Sequence, residues 1–258
     1  MEETQATITV HELAIGYKSM KIAGDINFSL QKGELCAIVG INGIGKSTLL
    51  RTLGNVQPKL SGNILIDSSN VEKYTSLQLA AQLSVVLTEP LASKNLTALE
   101  LISLGRLPYT NWLGTLEHKD KVHIQNCVQQ LDLQDLQHKH CFELSDGQLQ
   151  RVLIARAVAQ DTPIILLDEP TTHLDLYHKV QIFKLLKGLT RKHQKTVLFT
   201  THEIDLAIQL CDKILILDGT ENPVGQPCEL IEKGAFDQLF PSDMIAFDAI
   251  TGTFKVKN

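Results

Sequence analysis

The hydrophobic pattern changes its period along the chain. Ile26, Phe28 and Leu30 alternate with Asp25, Asn27, Ser29 and Gln31, a period of two that predicts a half-buried strand. After the turn Lys32-Gly33-Glu34, the run Leu35-Cys36-Ala37-Ile38-Val39 is continuously apolar, as expected of a strand buried on both faces of a parallel sheet. A glycine-rich loop and a helical run follow. The turn Ser61-Gly62-Asn63 leads into a short strand over 64–66, and 83–87 predicts one more. From about residue 92 to 160 the pattern is helical. Thr97 with Glu100 forms a capping box, and so does Ser145 with Gln148, which opens a helix running toward Gln160. Between them Ile124, Cys127, Val128 and Leu131 keep the i, i+3, i+4, i+7 spacing of an amphipathic helix. Strands return at 164–167, 196–200 and 213–217, with a helical stretch over about 175–193. Alternation of this kind predicts an α/β fold with a parallel sheet, interrupted by a helical insertion.

The 258 residues give room for one large domain or two small ones. A hydrophobic share of 43% with 21% charged residues excludes a disordered chain. No stretch approaches the ~20 apolar residues that span a bilayer, and Met1-Glu2-Glu3-Thr4-Gln5 lacks the basic-then-apolar order of a signal peptide. A net charge of −5, with no basic run longer than Arg191-Lys192-His193, argues against broad nucleic-acid binding. Cys36, Cys127, Cys141, Cys211 and Cys228 are odd in number and never form a CxxC pair, so neither a disulfide framework nor a zinc ribbon is expected, and a reducing cytoplasm is.

The candidate chemistry begins at Gly40-Ile41-Asn42-Gly43-Ile44-Gly45-Lys46-Ser47, which fits G-x-x-x-x-G-K-[ST] between a buried strand and a helix. Glycines let consecutive backbone N–H groups turn inward toward phosphate oxygens, and the positive end of the following helix adds to the field. Lys46 can reach the β/γ-phosphates of a nucleotide, and the Ser47 hydroxyl can ligate Mg²⁺. The strand ending in Asp168-Glu169 brings two carboxylates to the carboxyl edge of the sheet, where α/β folds bind ligands. Asp168 is expected to hold the Mg²⁺ shell and Glu169 to polarise an attacking water. Taken alone, this is an ordinary solvated strand end; its meaning comes from the phosphate loop. Leu144-Ser145-Asp146-Gly147-Gln148 is, by itself, a capped helix start able to bind an anion.

Placed shortly before the acidic strand, that last segment resembles LSGGQ, the signature of the ATP-binding cassette (ABC) family, and the likeness extends over about residues 7–220. The resemblance implies a P-loop NTPase, RecA-like core with an inserted helical subdomain and a short antiparallel β subdomain. It divides the chain into an ATPase domain over 1–220 (core 1–87 and 156–220, helical subdomain about 88–155) and a small C-terminal extension over 221–258. It further implies ATP hydrolysis with Mg²⁺, and two subunits closing head-to-tail so that Ser145, Asp146, Gly147 and Gln148 of one meet the nucleotide held by the loop 40–48 of the other. By position, Tyr17 matches the aromatic that stacks on adenine, with a core tyrosine as the alternative. Asp175, after Leu174, matches the loop that couples the two sites. His202, in Thr200-Thr201-His202, matches the switch histidine that contacts the γ-phosphate.

Two positions depart from the family pattern. Thr88 stands where a glutamine usually reaches Mg²⁺, and its hydroxyl has less reach. Asp146 stands where the first signature glycine is usual, and its carboxylate is expected to point away from the nucleotide. The segment Leu104-Gly105-Arg106-Leu107-Pro108-Tyr109 and the ending around Gly225-Gln226-Pro227, Gly234-Ala235-Phe236 and Phe247-Asp248 resemble ATPases of the iron–siderophore, haem and vitamin B12 importers. The implied assembly is two copies beneath an integral membrane permease, at the cytoplasmic face of the inner membrane, fed outside by a substrate-binding protein. The rivals are a soluble cassette ATPase of DNA repair or translation, and a cassette that binds ATP only as a scaffold. His138, His140, Cys141, His173 and His178 read as surface residues, and Trp112 either packs locally or meets a partner.

Overall fold

The computed structural model describes residues 6–89, 91, 93–237, 239–240 and 244–257; the opening Met1–Gln5 lies outside them. Its centre is a six-stranded sheet in the order β10-β9-β3-β8-β7-β6. Strands β6 (Leu83–Val86), β7 (Ile164–Leu167), β8 (Thr196–Thr200), β3 (Leu35–Val39) and β9 (Lys213–Ile216) run parallel, and β10 (Val224–Gly225) adds an antiparallel edge. Apolar runs form these strands because both faces are covered. Leu35, Ala37 and Val39 enter one core with Ile165, Leu167, Val197 and Phe199, while Cys36 and Ile38 enter the other with Ile164, Leu166 and Leu198.

The second of these cores is closed by an antiparallel sheet ordered β2-β1-β4-β5: β2 (Met20–Leu30), β1 (Ile8–Tyr17), β4 (Ser61–Ile66) and β5 (Ser69–Asn70). Between the sheets lies α1 (Lys46–Leu53), which buries Leu49, Leu50 and Leu53. Helix α2 (Ser76–Gln82) leads into β6. The first core is covered by α3 (Ala98–Ser103), α4 (His118–Gln130) and α5 (Asp146–Ala159) of the insertion. It is also covered by α6 (Leu176–His193), α7 (Ile204–Leu210) and α8 (Pro227–Glu232). Phe183 of α6 meets Phe199 of β8 edge-on at 5.2 Å between ring centres.

The insertion carries a buried ion pair. Arg106 donates from Nε to Asp120 Oδ1 at 3.0 Å and from Nη1 to the Ala159 carbonyl at 2.9 Å, and its guanidinium lies 4.1 Å from the Tyr109 ring centre. These bonds and the ring offset the cost of dehydrating both ions. Trp112 does not pack locally: it is 91% exposed, because the turn before α4 carries it beyond the helical core. The C-terminal extension carries a hairpin of β11 (Ile245–Asp248) and β12 (Thr253–Val256), whose Phe247 stacks on Phe236 and whose Phe254 meets Phe240 edge-on. No helix among the described residues is long and apolar enough to cross a membrane.

Candidate functional site

The carboxyl ends of β3, β8, β7 and β6 converge on one edge of the parallel sheet. The loop after β3 turns through Gly43 (φ 80°) and Gly45 (φ 108°), both left-handed, which a side chain at either position would strain. Gly45 is the N-cap of α1, and neither a capping side chain nor an acidic residue occupies that helix start. Its N–H groups remain available to an anion. Lys46, 5% exposed, donates from Nζ to the carbonyls of Gly40 (2.9 Å) and Ile41 (3.2 Å), so the ammonium is held inside the loop. Burial lowers its pKa, and the charges of Glu169 and Asp168 oppose that effect. Ile41, Asn42 and Gly43 are exposed at the rim of the loop, and Ile44 is half-buried behind them.

Asp168 follows β7 directly and is 2% exposed. Three hydroxyls surround its carboxylate. Ser47 and Thr200 donate to Oδ1 at 2.9 and 2.8 Å, and Thr88 donates to Oδ2 at 2.9 Å. The Thr200 hydroxyl in turn accepts the Glu169 N–H at 2.7 Å, joining the two acidic residues through one side chain. Glu169 itself has a left-handed backbone (φ 48°), a strained conformation of the kind that clusters at functional sites. Its Oε1 lies 3.0 Å from His202 Nε2, and its Oε2 accepts from Thr172 at 2.9 Å. Burial raises the Glu169 pKa, but the Thr172 and His202 hydrogen bonds and the charges of His202 and Lys46 outweigh it. The carboxyl therefore sits below its ordinary range and is ionised at neutral pH.

Tyr17 is 52% exposed, so it is not a core tyrosine, and its phenol lies 3.2 Å from the Thr48 hydroxyl in the first turn of α1. The ring thus stands beside the phosphate loop with a free face. Ser47 and Asp168 offer only oxygen donors, which suits the hard Mg²⁺ ion.

The signature residues behave differently. Ser145 caps α5, accepting from Gln148 N–H at 3.3 Å while Gln148 Oε1 accepts the Ser145 N–H at 3.0 Å. Asp146 is exposed at the first helical position, where the helix dipole favours a carboxylate. None of these residues bonds to the phosphate loop among the described residues. Asp175 is likewise used locally, capping α6 through His178 N–H (2.9 Å) and holding His178 Nδ1 at 2.8 Å. The His178 ring packs on Gly147, where a Cβ would stand 2.9 Å from its Cδ2. His178 therefore has more than the plain surface position its sequence context suggests, and Thr172 and Thr200 have site contacts that the sequence pattern does not assign. For Thr200 a signal existed, since it ends a strand aimed at the acidic pair.

A core sheet of five parallel strands and one antiparallel edge, with a phosphate loop after β3 and an acidic strand end beside it, defines a P-loop NTPase. Residues 23–172 match the model of the ABC transporter family, and the chain belongs to that family. It is an ATPase that binds ATP. The chain is 34% identical to the achromobactin transport ATP-binding protein of Dickeya dadantii over 92% of its own length and 88% of that protein's. It is 34% identical to the petrobactin import ATP-binding protein FpuD of Bacillus anthracis, over 96% and 92% respectively. Among solved structures it resembles a metal-chelate type ABC transporter in an inward-facing conformation, with a TM-score of 0.80 at 28% identity over 91% of this chain and 89% of the other. A dimeric bacterial ABC transporter cassette matches with a TM-score of 0.73 at 28% identity, over 85% and 98%.

Proposed function

We propose that this chain is the ATP-hydrolysing subunit of an importer for an iron chelate of the siderophore class, working as a head-to-tail pair beneath a separate membrane permease at the cytoplasmic face of the inner membrane. The observation that carries the importer reading is similarity to the achromobactin transport and petrobactin import ATP-binding proteins, which spans about nine-tenths of both chains. The same similarity is the ground for preferring a siderophore over the haem and vitamin B12 cargoes of the wider group.

The site geometry supports the chemistry. Lys46 exchanges the carbonyls of Gly40 and Ile41 for phosphate oxygens, and the free N–H groups of the loop and α1 receive the remaining phosphate charge. Tyr17 offers its exposed ring to the adenine. Ser47 and Asp168 are the residues that would hold Mg²⁺, which supplies charge neutralisation on the phosphates when bound. Glu169, ionised and oriented from both sides by Thr172 and His202, polarises the attacking water. His202, already on Glu169 Oε1, is placed to report the γ-phosphate. Ser145, Asp146, Gly147 and Gln148 complete the site of the second copy, and Asp175 with His178 lies beside that signature segment to link the two. A substrate-binding protein outside the membrane delivers the chelate.

The test is a mild-detergent pull-down of the tagged chain from its native membranes, with copurifying proteins identified. A polytopic permease is expected in the eluate. Capture of ribosomes, DNA or a soluble complex without a permease overturns the importer reading and leaves the ATPase intact.

A further inference from the structure

We propose that Thr88 is a positioning residue of the hydrolytic site: it sets the orientation of Asp168, and together with Glu89 it ties the helical insertion to the phosphate-loop helix through protein contacts alone. The proposal rests on the reading above that Ser47 and Asp168 hold the metal, and it concerns one of the two positions at which the chain departs from the family pattern.

The register of the sheet carries the argument. Val86 ends β6 opposite Leu167 of β7, and its carbonyl accepts the Asp168 N–H at 2.8 Å. The chain leaving β6 therefore passes Asp168 at a fixed offset, two residues before Thr88. Of the two carboxylate oxygens, Oδ1 is served by Ser47 and Thr200, whereas Thr88 supplies the one hydrogen bond to Oδ2 among the described residues. A buried carboxylate with one oxygen unserved is costly, so the Thr88 hydroxyl selects the rotamer in which both oxygens are bonded. Threonine is suited to the task, because β-branching restricts its χ1 and a short side chain has little freedom to lose.

The next residue makes the second tie. Glu89 pairs with Arg51 of α1 at 3.1 Å, and α1 is the helix that begins with Lys46. Both side chains of this pair are partly solvated, so it fixes register more than it adds stability. Consecutive residues at the entrance to the insertion thus grip both halves of the phosphate machinery, Asp168 on one side and α1 on the other.

The test measures Mn²⁺ binding by electron paramagnetic resonance, in the full chain saturated with a non-hydrolysable ATP analogue. Thr88→Val is expected to weaken Mn²⁺ binding by roughly tenfold, the usual effect of removing a group that orients a ligand. Thr88→Ser, which keeps the hydroxyl, restores most of the affinity, and affinity for the analogue without metal stays unchanged in both. In steady-state assays Thr88→Val lowers kcat at limiting Mg²⁺ and recovers as Mg²⁺ is raised, with KM for ATP little altered. Thermal unfolding screens for folding, and Thr88→Ala serves if the valine variant is impaired. Equal Mn²⁺ affinity in wild type and Thr88→Val, or equal loss in the serine and valine variants, overturns the proposal. Asp168→Asn separates the layers. Its loss of Mn²⁺ alongside an unaffected Thr88→Val sinks the Thr88 role alone, whereas normal Mn²⁺ binding in Asp168→Asn removes the metal-site reading and the proposal with it.

Discussion

The phosphate-loop half of the site and the signature half are built to opposite rules. Lys46 and Asp168 are 5% and 2% exposed, and each of their charged atoms has a partner within the chain. Ser145 and Asp146 lie exposed at a helix start whose polar groups are satisfied by its own capping box. Burial accounts for the difference. A charge removed from water must be bonded on every side or it destabilises the fold, so the buried half is fixed by many elements at once. A solvated helix start needs only its cap, and is stable while facing nothing. The contrast teaches that one chain carries both a buried phosphate pocket fixed by many elements and, elsewhere, an exposed helix start fixed by its own cap.

The sharpest challenge to this comparison is Glu169→Gln. It is expected to slow ATP turnover by about 10²–10⁴-fold, the share of a general base, while nucleotide binding persists; near-normal turnover would remove Glu169 from the hydrolytic role. Next in size is Asp120→Ala, which strands Arg106 inside the insertion. A loss of about 3–5 kcal/mol is expected in denaturant unfolding, and a change near zero would show that burial does not set the rules proposed. Lys46→Ala is expected to weaken nucleotide binding by about 10²-fold, as for truncating one member of a desolvated charge pair; calorimetry reads it directly.

On the exposed half the effects are smaller and shared between copies. Ser145→Ala removes a cap and is expected to destabilise the chain by about 1 kcal/mol. Mixed with Lys46→Ala chains it should regain turnover that neither variant shows alone, because a mixed dimer holds one intact site; no recovery would argue against a pocket completed in trans. The smallest effects are in pH. The Glu169 carboxyl is depressed, so its contribution to stability is present above its ordinary value of 4.5 and is lost as pH falls through the lower folded value. In the C-terminal hairpin, the Lys255 ammonium, with the N–H groups of Ile250 and Thr251, brings Asp248 from 3.8 to about 2. Carbon-detected NMR should find that low midpoint, and Lys255→Ala should move it back toward 3.8.

Legibility in the sequence follows the same division between local and distant causes. The runs at 35–39 and 164–167 read as buried strands because five and four consecutive apolar residues have one plausible home in an α/β fold. Strand β1 did not read as a strand. Its burial order breaks at His11 and Glu12, where the pairing shifts register and Glu12 takes a left-handed backbone (φ 47°), so period two is lost at a bulge. Helix α2 has a capping box in Thr75 and Gln78 but is not legible from periodicity, because Leu79 alone is buried and no apolar stripe shows. The terminal hairpin is held by aromatic contacts among Phe236, Phe240, Phe247 and Phe254, which no local pattern announces.

By itself the sequence determined the inventory of chemistry: a glycine loop with Lys46 and Ser47, an acidic strand end, a capped helix bearing Ser145, and a histidine after a β-branched run. Spacing and residue type are enough for these, since each is set within a few residues of backbone. Only the tertiary structure decided which groups meet. Ser47, Thr88 and Thr200 stand 121, 80 and 32 residues from Asp168 and all bond to its carboxylate. They do so because parallel strands in the order β3-β8-β7-β6 end on one edge in fixed register, and strand order is a property of the packed sheet.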